Sequence, residues 1–457
     1  MPLSKFRKTL TSPTLIDDLR KGLIGEGMMI GDVPLIYADY VASGRALRQV
    51  EDFVTDHVLP YYANTHTEDS FCGRYAGQLR EQARAEIARL TQAGPDCSVI
   101  FAGSGATAGL NRLVSLLGVE QAQNPVVFIG PYEHHSNILP WRESNAQVIE
   151  IPECPSGGPD LAVLEQALQD HAGADLKIGS FSAASNVTGV ITDSTKVSRL
   201  LKKHGALAIW DYAGAGPYLD IDMASGTDAE KDAVVLSPHK FPGGPGASGL
   251  LILRESVVKR DTPTWPGGGT VAFVSPWAHE YLDDIVAREE AGTPNIIGDI
   301  RAALVFIIKD MIGQDVISTR EYELNAMAIK GWFDNPHLTL LGVENDHRLP
   351  IFSFLVQDAA GNNIHYADFT RKLSDQYGIQ SRGGCACAGP YGHRLLEVDK
   401  PHSEALHRQL TAGNLHAKPG WIRLNFSYLM SDETAQYIIN GVNTLTKELS
   451  GKARVAS

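Results

Sequence analysis

Lys240 sits in the turn Ser-Pro-His-Lys-Phe-Pro-Gly-Gly (237–244), framed by two prolines and with no carboxylate in the next ten positions. A surface turn would account for it. So would a lysine desolvated near other cations, which gives up its proton readily and can form a Schiff base with a carbonyl. Other residues that could do chemistry stand at similar places, each just after a short apolar run. Asp211 ends LAIWD, where a carboxylate can cap a turn or keep a pyridine nitrogen protonated. His134 and His135 after PVVFIG could ligate a metal, although adjacent side chains point apart; one imidazole could equally lie flat on a ligand ring, or both could simply pack. After SVIFAG, Gly105, Ala106 and Thr107 open a helix, whose free N–H groups, dipole and hydroxyl would hold a phosphate or cap nothing at all. Ser237 and His239, just before Lys240, can donate to the same phosphate. Singly these are weak signals. Together they form the parts list for pyridoxal phosphate: a phosphate cradle, a ring-stacking group, a carboxylate and a Schiff-base lysine.

A second chemical feature is the loop SRGGCACAGP, 381–390, which sets Cys385 and Cys387 one residue apart. Half a metal site, a disulfide pair and a reactive thiolate are all open from this stretch alone.

The elements needed to position these groups can be read from the pattern. From about residue 97 the chain repeats a short non-alternating apolar run, a polar or glycine-rich turn, and a helical stretch. Strands of that kind are buried on both faces and, interleaved with helices, imply a parallel α/β sheet. Ligands of open α/β sheets bind beyond the carboxyl ends of the strands, where the candidate residues lie. We expect a mostly parallel seven-stranded sheet in a large domain over 36–300, preceded by an N-terminal helical segment over 1–35. A smaller C-terminal α+β domain over 301–457 carries the cysteine loop. TLIDDLRKGLI, 14–24, predicts a short amphipathic helix, IRAALVFIIKDMI predicts a longer one, and PHSEALHRQLTAGNLHAKPG predicts a polar surface insertion.

At 457 residues the chain has room for two cores,. Its 40 basic against 53 acidic residues, a net charge of −13, argue against nucleic acid or an anionic membrane as partner,. Five cysteines in this length make no disulfide framework and point to a reducing compartment,. The N-terminus does not read as a secretion signal, and no apolar run approaches the roughly 20 residues that span a bilayer. The expectation is a cytoplasmic enzyme without a metal site.

The motifs YADYVAS, GATAGLN, EHHSNILPW, SNVTG, WDYAGA, SPHK, PGGG, EAGTPN, RGGCACA and IRLNF resemble, in order and spacing, the cysteine desulfurase and selenocysteine lyase branch of the class V aminotransferase family. The resemblance runs from about residue 36 to the C-terminus. It implies a fold-type I pyridoxal phosphate enzyme, a homodimer with its sites at the subunit interface, acting on a small amino acid. It implies that Lys240 holds the cofactor and later moves protons at the substrate Cα. Asp211 pairs with the pyridinium, His134 stacks on the ring and Asn186 faces its phenolic oxygen. Thr107, Ser237 and His239 bind the phosphate, with Gly267 and Thr293 approaching it from the partner subunit. Arg423, helped by Arg382, holds the substrate carboxylate. The family's sulfur-accepting cysteine falls on Cys387, and Cys-x-Cys here is also similar to molybdenum cofactor sulfurases. A zinc site would want a second ligand pair, which is lacking, and a Cys-x-Cys disulfide closes a strained ring. A thiolate in a glycine loop with Arg382 close by suits a nucleophile; a small residue lining the substrate entrance is the bland alternative. The implied reaction removes sulfur from L-cysteine, leaving alanine and an enzyme persulfide that a sulfur-acceptor protein collects. Rivals are another class V reaction (aminotransferase, C–S β-lyase or racemase) and a catalytically silent relay protein. Gly214 stands where many desulfurases have glutamine, which bears on the substrate-facing wall.

Overall fold

A computed structural model describes residues 2–65, 67–342 and 347–451. They fall into two compact units, one of Met1–Ile24, Ser43–Ala183 and Thr192–Gln314, the other of Gly25–Ala42, Ala184–Ile191 and Asp315–Ser457. The division differs from a contiguous reading of the chain: the first 24 residues belong to the larger unit, and two short segments far upstream belong to the smaller one.

The larger unit is built on the expected seven-stranded sheet: β1 (Cys97–Gly103), β2 (Pro125–Ile129), β3 (Gln147–Glu150), β4 (Leu176–Ser182), β5 (Leu207–Asp211), β6 (Ala233–Leu236) and β7 (Gly249–Arg254). Their spatial order is β1-β7-β6-β5-β4-β2-β3. The pairs β3–β2, β2–β4, β4–β5 and β5–β6 are parallel, and β7 alone runs against its neighbours. All residues of β2, β6 and β7 are buried, as a sheet covered on both faces requires. Helix α1 (Phe71–Leu90) carries Arg80 and Arg84, which reach the buried Glu290; Arg80 also pairs with Asp299 at 2.6 Å in helix α3 (Ile296–Ile312). Helix α2 (Gly105–Leu116) buries Ala106, Gly109, Leu110 and Leu113, a three-to-four-residue spacing that turns one stripe to the sheet,. Leu110 and Leu113 join Ile100, Val127, Ile178, Ile209, Val235 and Leu251 in one core; each such side chain contributes roughly 1.5–3 kcal/mol. Gly109 has to be glycine, because a Cβ there would meet Val235 Cγ1 at 2.8 Å.

The smaller unit has an antiparallel sheet of β8 (Leu338–Leu340), β9 (Ile351–Val356), β10 (Arg382–Gly384) and β11 (Trp421–Asn425), in the order β8-β9-β11-β10. Helices α4 (Gln314–Trp332), α5 (Tyr366–Tyr377) and α6 (Asp432–Ser450) supply Trp332, Phe369 and Ile439 to a core with Phe352, Phe354, Leu424 and Phe426. Ile36–Tyr37 pairs in parallel with Ile379–Gln380 and so ties the YADY stretch into this unit. The polar insertion contains a helix over Lys400–Thr411 with no buried residue. Among the described residues no helix is long and apolar enough to cross a membrane, and none of the His, Cys, Asp and Glu side chains cluster as a metal site would need.

Candidate active site

In the larger unit the candidate groups stand at the carboxyl ends of β1, β2, β5 and β6. Gly105 opens α2 with a φ of +62°, a left-handed conformation that glycine adopts without strain,. A Cβ there would meet Ser237 Oγ at 2.9 Å and His239 Cε1 at 3.1 Å, so the helix start, the serine and the imidazole line one small space. The Ala106 N–H donates to Ser237 Oγ at 2.9 Å, which leaves the serine hydrogen for another acceptor. Burial, and then the charge of Lys240, pushes His239 down to about 4, so its ring is neutral at ordinary pH. Two hydroxyls, a neutral imidazole and the positive end of a twelve-residue helix are donors without an intervening carboxylate. That set fits a phosphate.

Asp211 is the last residue of β5, with 5% of its surface exposed, and accepts from the Ala213 N–H at 2.7 Å. Burial raises its pKa, and the nearby Lys240 opposes that rise. Removed from water, the carboxylate is held one strand away from the lysine turn, since β5 pairs directly with β6. Lys240 ends a single 3-10 turn, Pro238–Lys240. The turn is pressed against Gly44, where a Cβ would lie 1.9 Å from the Phe241 oxygen and 3.0 Å from that of Lys240. The Gly44 N–H donates to the His239 carbonyl at 2.9 Å.

His134 Nδ1 accepts from the Ser136 N–H at 3.1 Å, which places the proton of the neutral ring on Nε2,. Ser136 Oγ lies 2.7 Å from Thr107 Oγ1 and so joins the stacking loop to the phosphate donors. Behind His134, the buried Glu133 accepts from Asn137 Nδ2 at 2.6 Å, Ser182 N at 2.8 Å and Ser182 Oγ at 2.5 Å. Burial pushes Glu133 up to about 7 against those three donors, and the charge of Asp211 adds to the rise. Gly267 and Thr293 lie on two loops that Gly292 N–H joins to Gly268 O at 2.8 Å. Buried Glu289 anchors them by accepting from Arg112 at 2.9 Å and from the Thr264 N–H.

The smaller unit holds the remaining candidates. Arg423 on β11 is 3% exposed and donates to Asp39 Oδ1 at 2.7 Å and to the Asn186 carbonyl at 3.1 Å. Arg382 on β10, its register partner, donates to Asp39 Oδ2 at 2.9 Å. Burial lowers the pKa of Arg423 and Asp39 opposes it, while Arg382 and Cys387 are also within its field. Asn186 Nδ2 donates to the Ala386 carbonyl at 2.9 Å, so this side chain is joined to the cysteine loop. Cys385, Ala386, Cys387 and Ala388 form a turn closed by Ala388 N–H to Cys385 O at 3.0 Å. Ala386 and Cys387 have φ of +49° and +56°, the pattern of a primed type I turn,. Non-glycine residues pay roughly 1–2 kcal/mol each for that conformation. All five cysteines are free thiols, with Cys387 exposed and Cys385 half-buried.

The sequence alone assigns no role to Asp39, Gly44 or Glu133. Asp39 nevertheless lies inside YADYVAS, a lone carboxylate among aromatic and small residues, and Glu133 opens EHHSNILPW.

An open, mostly parallel seven-stranded sheet with donors, carboxylate and lysine at its strand ends defines a fold-type I pyridoxal phosphate architecture. The Aminotransferase class-V family matches residues 36–431, and the chain belongs to that family, which uses pyridoxal phosphate. The chain is 27% identical over 362 residues to a probable cysteine desulfurase of Halalkalibacterium halodurans, covering 78% of this chain and 85% of that protein. To a probable cysteine desulfurase of Staphylococcus aureus it is 29% identical over 363 residues, 78% of this chain and 84% of the other. In fold it is similar to the cysteine desulfurase of Thermococcus onnurineus (TM-score 0.78, 24% identity, 95% and 98% of the two chains). It is similar also to the Escherichia coli cysteine desulfurase CsdA (TM-score 0.74, 20% identity, 95% and 99%).

Proposed function

We propose that this chain is a pyridoxal phosphate-dependent cysteine desulfurase, converting L-cysteine to alanine with the sulfur carried on Cys387. The observation that carries the reading is the placement of Lys240 in the field of buried Asp211, beside a donor cradle at a helix N-terminus. When bound, the cofactor supplies an electron sink that makes the substrate Cα–H acidic and the Cβ–S bond breakable. Thr107, Ser237 and His239 would hold its phosphate, with Gly105 and Ala106 opening the helix beneath it. Asp211 would keep the pyridine nitrogen protonated, His134 would stack on the ring, and Asn186, whose amide carries a second hydrogen, would donate to the phenolic oxygen. The Lys240 amine takes the Cα proton and later returns one. Arg423, with Arg382, binds the substrate carboxylate. The Cys387 thiolate attacks the substrate sulfur; the new S–S bond forms as Cβ–S breaks, and the electron pair left on carbon is protonated to give alanine. Gly267 and Thr293 serve the site of the other subunit in a homodimer, and the enzyme works in the cytoplasm, passing sulfur to an acceptor protein.

Purified enzyme incubated with pyridoxal phosphate should turn yellow, and borohydride should fix the cofactor mass to Lys240. With L-cysteine, alanine should form. Cys387→Ala should retain the colour and lose the alanine. Pyruvate with ammonia, or a keto acid, as the main product would instead indicate elimination or transamination and overturn the desulfurase assignment.

A further inference from the structure

Cys385 has no role in the reaction just described, yet it shares one closed backbone turn with Cys387. The two residues occupy the first and third positions of one closed turn, Ala388 N–H to Cys385 O at 3.0 Å. Two residues apart in a turned backbone, their α-carbons cannot be further than about 7 Å, and a disulfide spans about 4.4–6.8 Å. Left-handed φ at both Ala386 and Cys387 curls the chain instead of letting it extend. Asn186 Nδ2 pins the carbonyl between them at 2.9 Å. Cys385 is half-buried where Cys387 is exposed. Tyr366 is electrostatically coupled to the inner thiol: burial raises its hydroxyl pKa, and Cys385 adds to the rise. Arg423 lies in the field of Cys387, and Asp39 links Arg423 to Arg382.

We propose that Cys385 is a resolving cysteine that discharges the persulfide formed on Cys387, so that the enzyme can release its sulfur as sulfide without a protein acceptor. The idea rests on the reading of Cys387 given above. The Cys385 thiolate attacks the inner sulfur of the Cys387 persulfide. An S–S bond forms between the two side chains, the bond from Cys387 to the outer sulfur breaks, and that sulfur leaves with its electron pair as hydrosulfide. The outer sulfur is reduced, the two thiols are oxidised to a disulfide, and no external oxidant is needed. The disulfide closes a small ring in a turn whose backbone is already strained, and strained exposed disulfides are reduced readily. A dithiol reductant therefore resets the pair for the next cycle. In this scheme the outer position of Cys387 serves capture and the inner position of Cys385 serves discharge.

The test uses reduced holoenzyme, freed of reductant under anaerobic conditions and given one equivalent of L-cysteine per site. Alkylation, peptide mass analysis and a sulfide assay follow. In a second arm the same proteins are loaded with inorganic polysulfide, which puts sulfur on Cys387 without desulfurase chemistry. Wild-type enzyme is expected to release sulfide equal to the alanine formed, with the peptide containing both cysteines two hydrogens lighter and closed to alkylation. Cys385→Ser is expected to keep one extra sulfur on Cys387 and release no burst of sulfide. If wild-type enzyme retains its extra sulfur as long as Cys385→Ser does, in either arm, the resolving role is wrong while the desulfurase reading stands. If L-cysteine loads neither protein, the desulfurase reading fails, and the polysulfide arm alone decides the role of Cys385.

Discussion

Asp39 holds two arginines at once, and the two contacts should differ several-fold in energy. Arg423 has only 4% of its side chain exposed and meets Asp39 Oδ1 at 2.7 Å, while the side chain of Arg382 is 46% exposed and meets Oδ2 at 2.9 Å. Removing the partner of a buried charge costs roughly 3–5 kcal/mol, because the remaining ion is desolvated without compensation. An exposed pair contributes about 0.2–1 kcal/mol. Asp39→Asn keeps the shape and one acceptor oxygen, so its cost belongs near the lower end, about 3 kcal/mol. Arg382→Ala should cost under about 1 kcal/mol. The two compact units need not unfold in one step, so the change is best read locally, as amide hydrogen exchange of the β11 peptide, Trp421–Asn425,. Exchange there should accelerate on the order of a hundredfold in Asp39→Asn and little in Arg382→Ala. If Asp39→Asn loses less than about 1 kcal/mol, or the two variants lose equally, the assignment of Arg423 as a buried cation dependent on Asp39 is refuted.

Glu133 predicts a pH dependence. Its pKa is about 7 in the fold and near 4.5 unfolded, so the folded state binds the proton more tightly. The associated stability, about 3 kcal/mol at roughly 1.4 kcal/mol per unit, is complete below about pH 4.5 and is lost as pH rises through about 7,. Glu133→Gln should flatten that slope in urea titrations across this window; an unchanged slope would exclude Glu133 as its source. Gly44→Ala would drive a Cβ into the Phe241 carbonyl, displacing the Lys240 turn, so borohydride trapping of cofactor on that lysine should fall sharply while wild-type trapping persists. Ala386→Gly relieves one left-handed alanine and should slow local opening of the cysteine loop by about 1 kcal/mol after the entropy of the added glycine is counted. Faster hydrogen exchange in that loop would contradict it.

The order of apolar runs was enough to anticipate the large sheet and to put Gly105, His134, Asp211 and Lys240 at or just past strand ends. Strands buried on both faces leave an unbroken apolar signature in one dimension, and the turn chemistry follows directly behind each. What only the tertiary structure decided is which distant residues share a charge or a contact. Asp39 lies more than three hundred residues from Arg382 and Arg423, and becomes their partner because the YADY stretch pairs with Ile379–Gln380 and β10 lies against β11. Asn186, in a loop after β4, folds with the smaller unit and reaches Ala386. Gly44 is needed only because the lysine turn packs onto it. The burial that shifts Glu133 and Asp211 likewise depends on neighbours brought in by the sheet. Local sequence sets periodicity and turn type, whereas desolvation and Coulomb coupling depend on three-dimensional distance, which no single stretch of the chain contains.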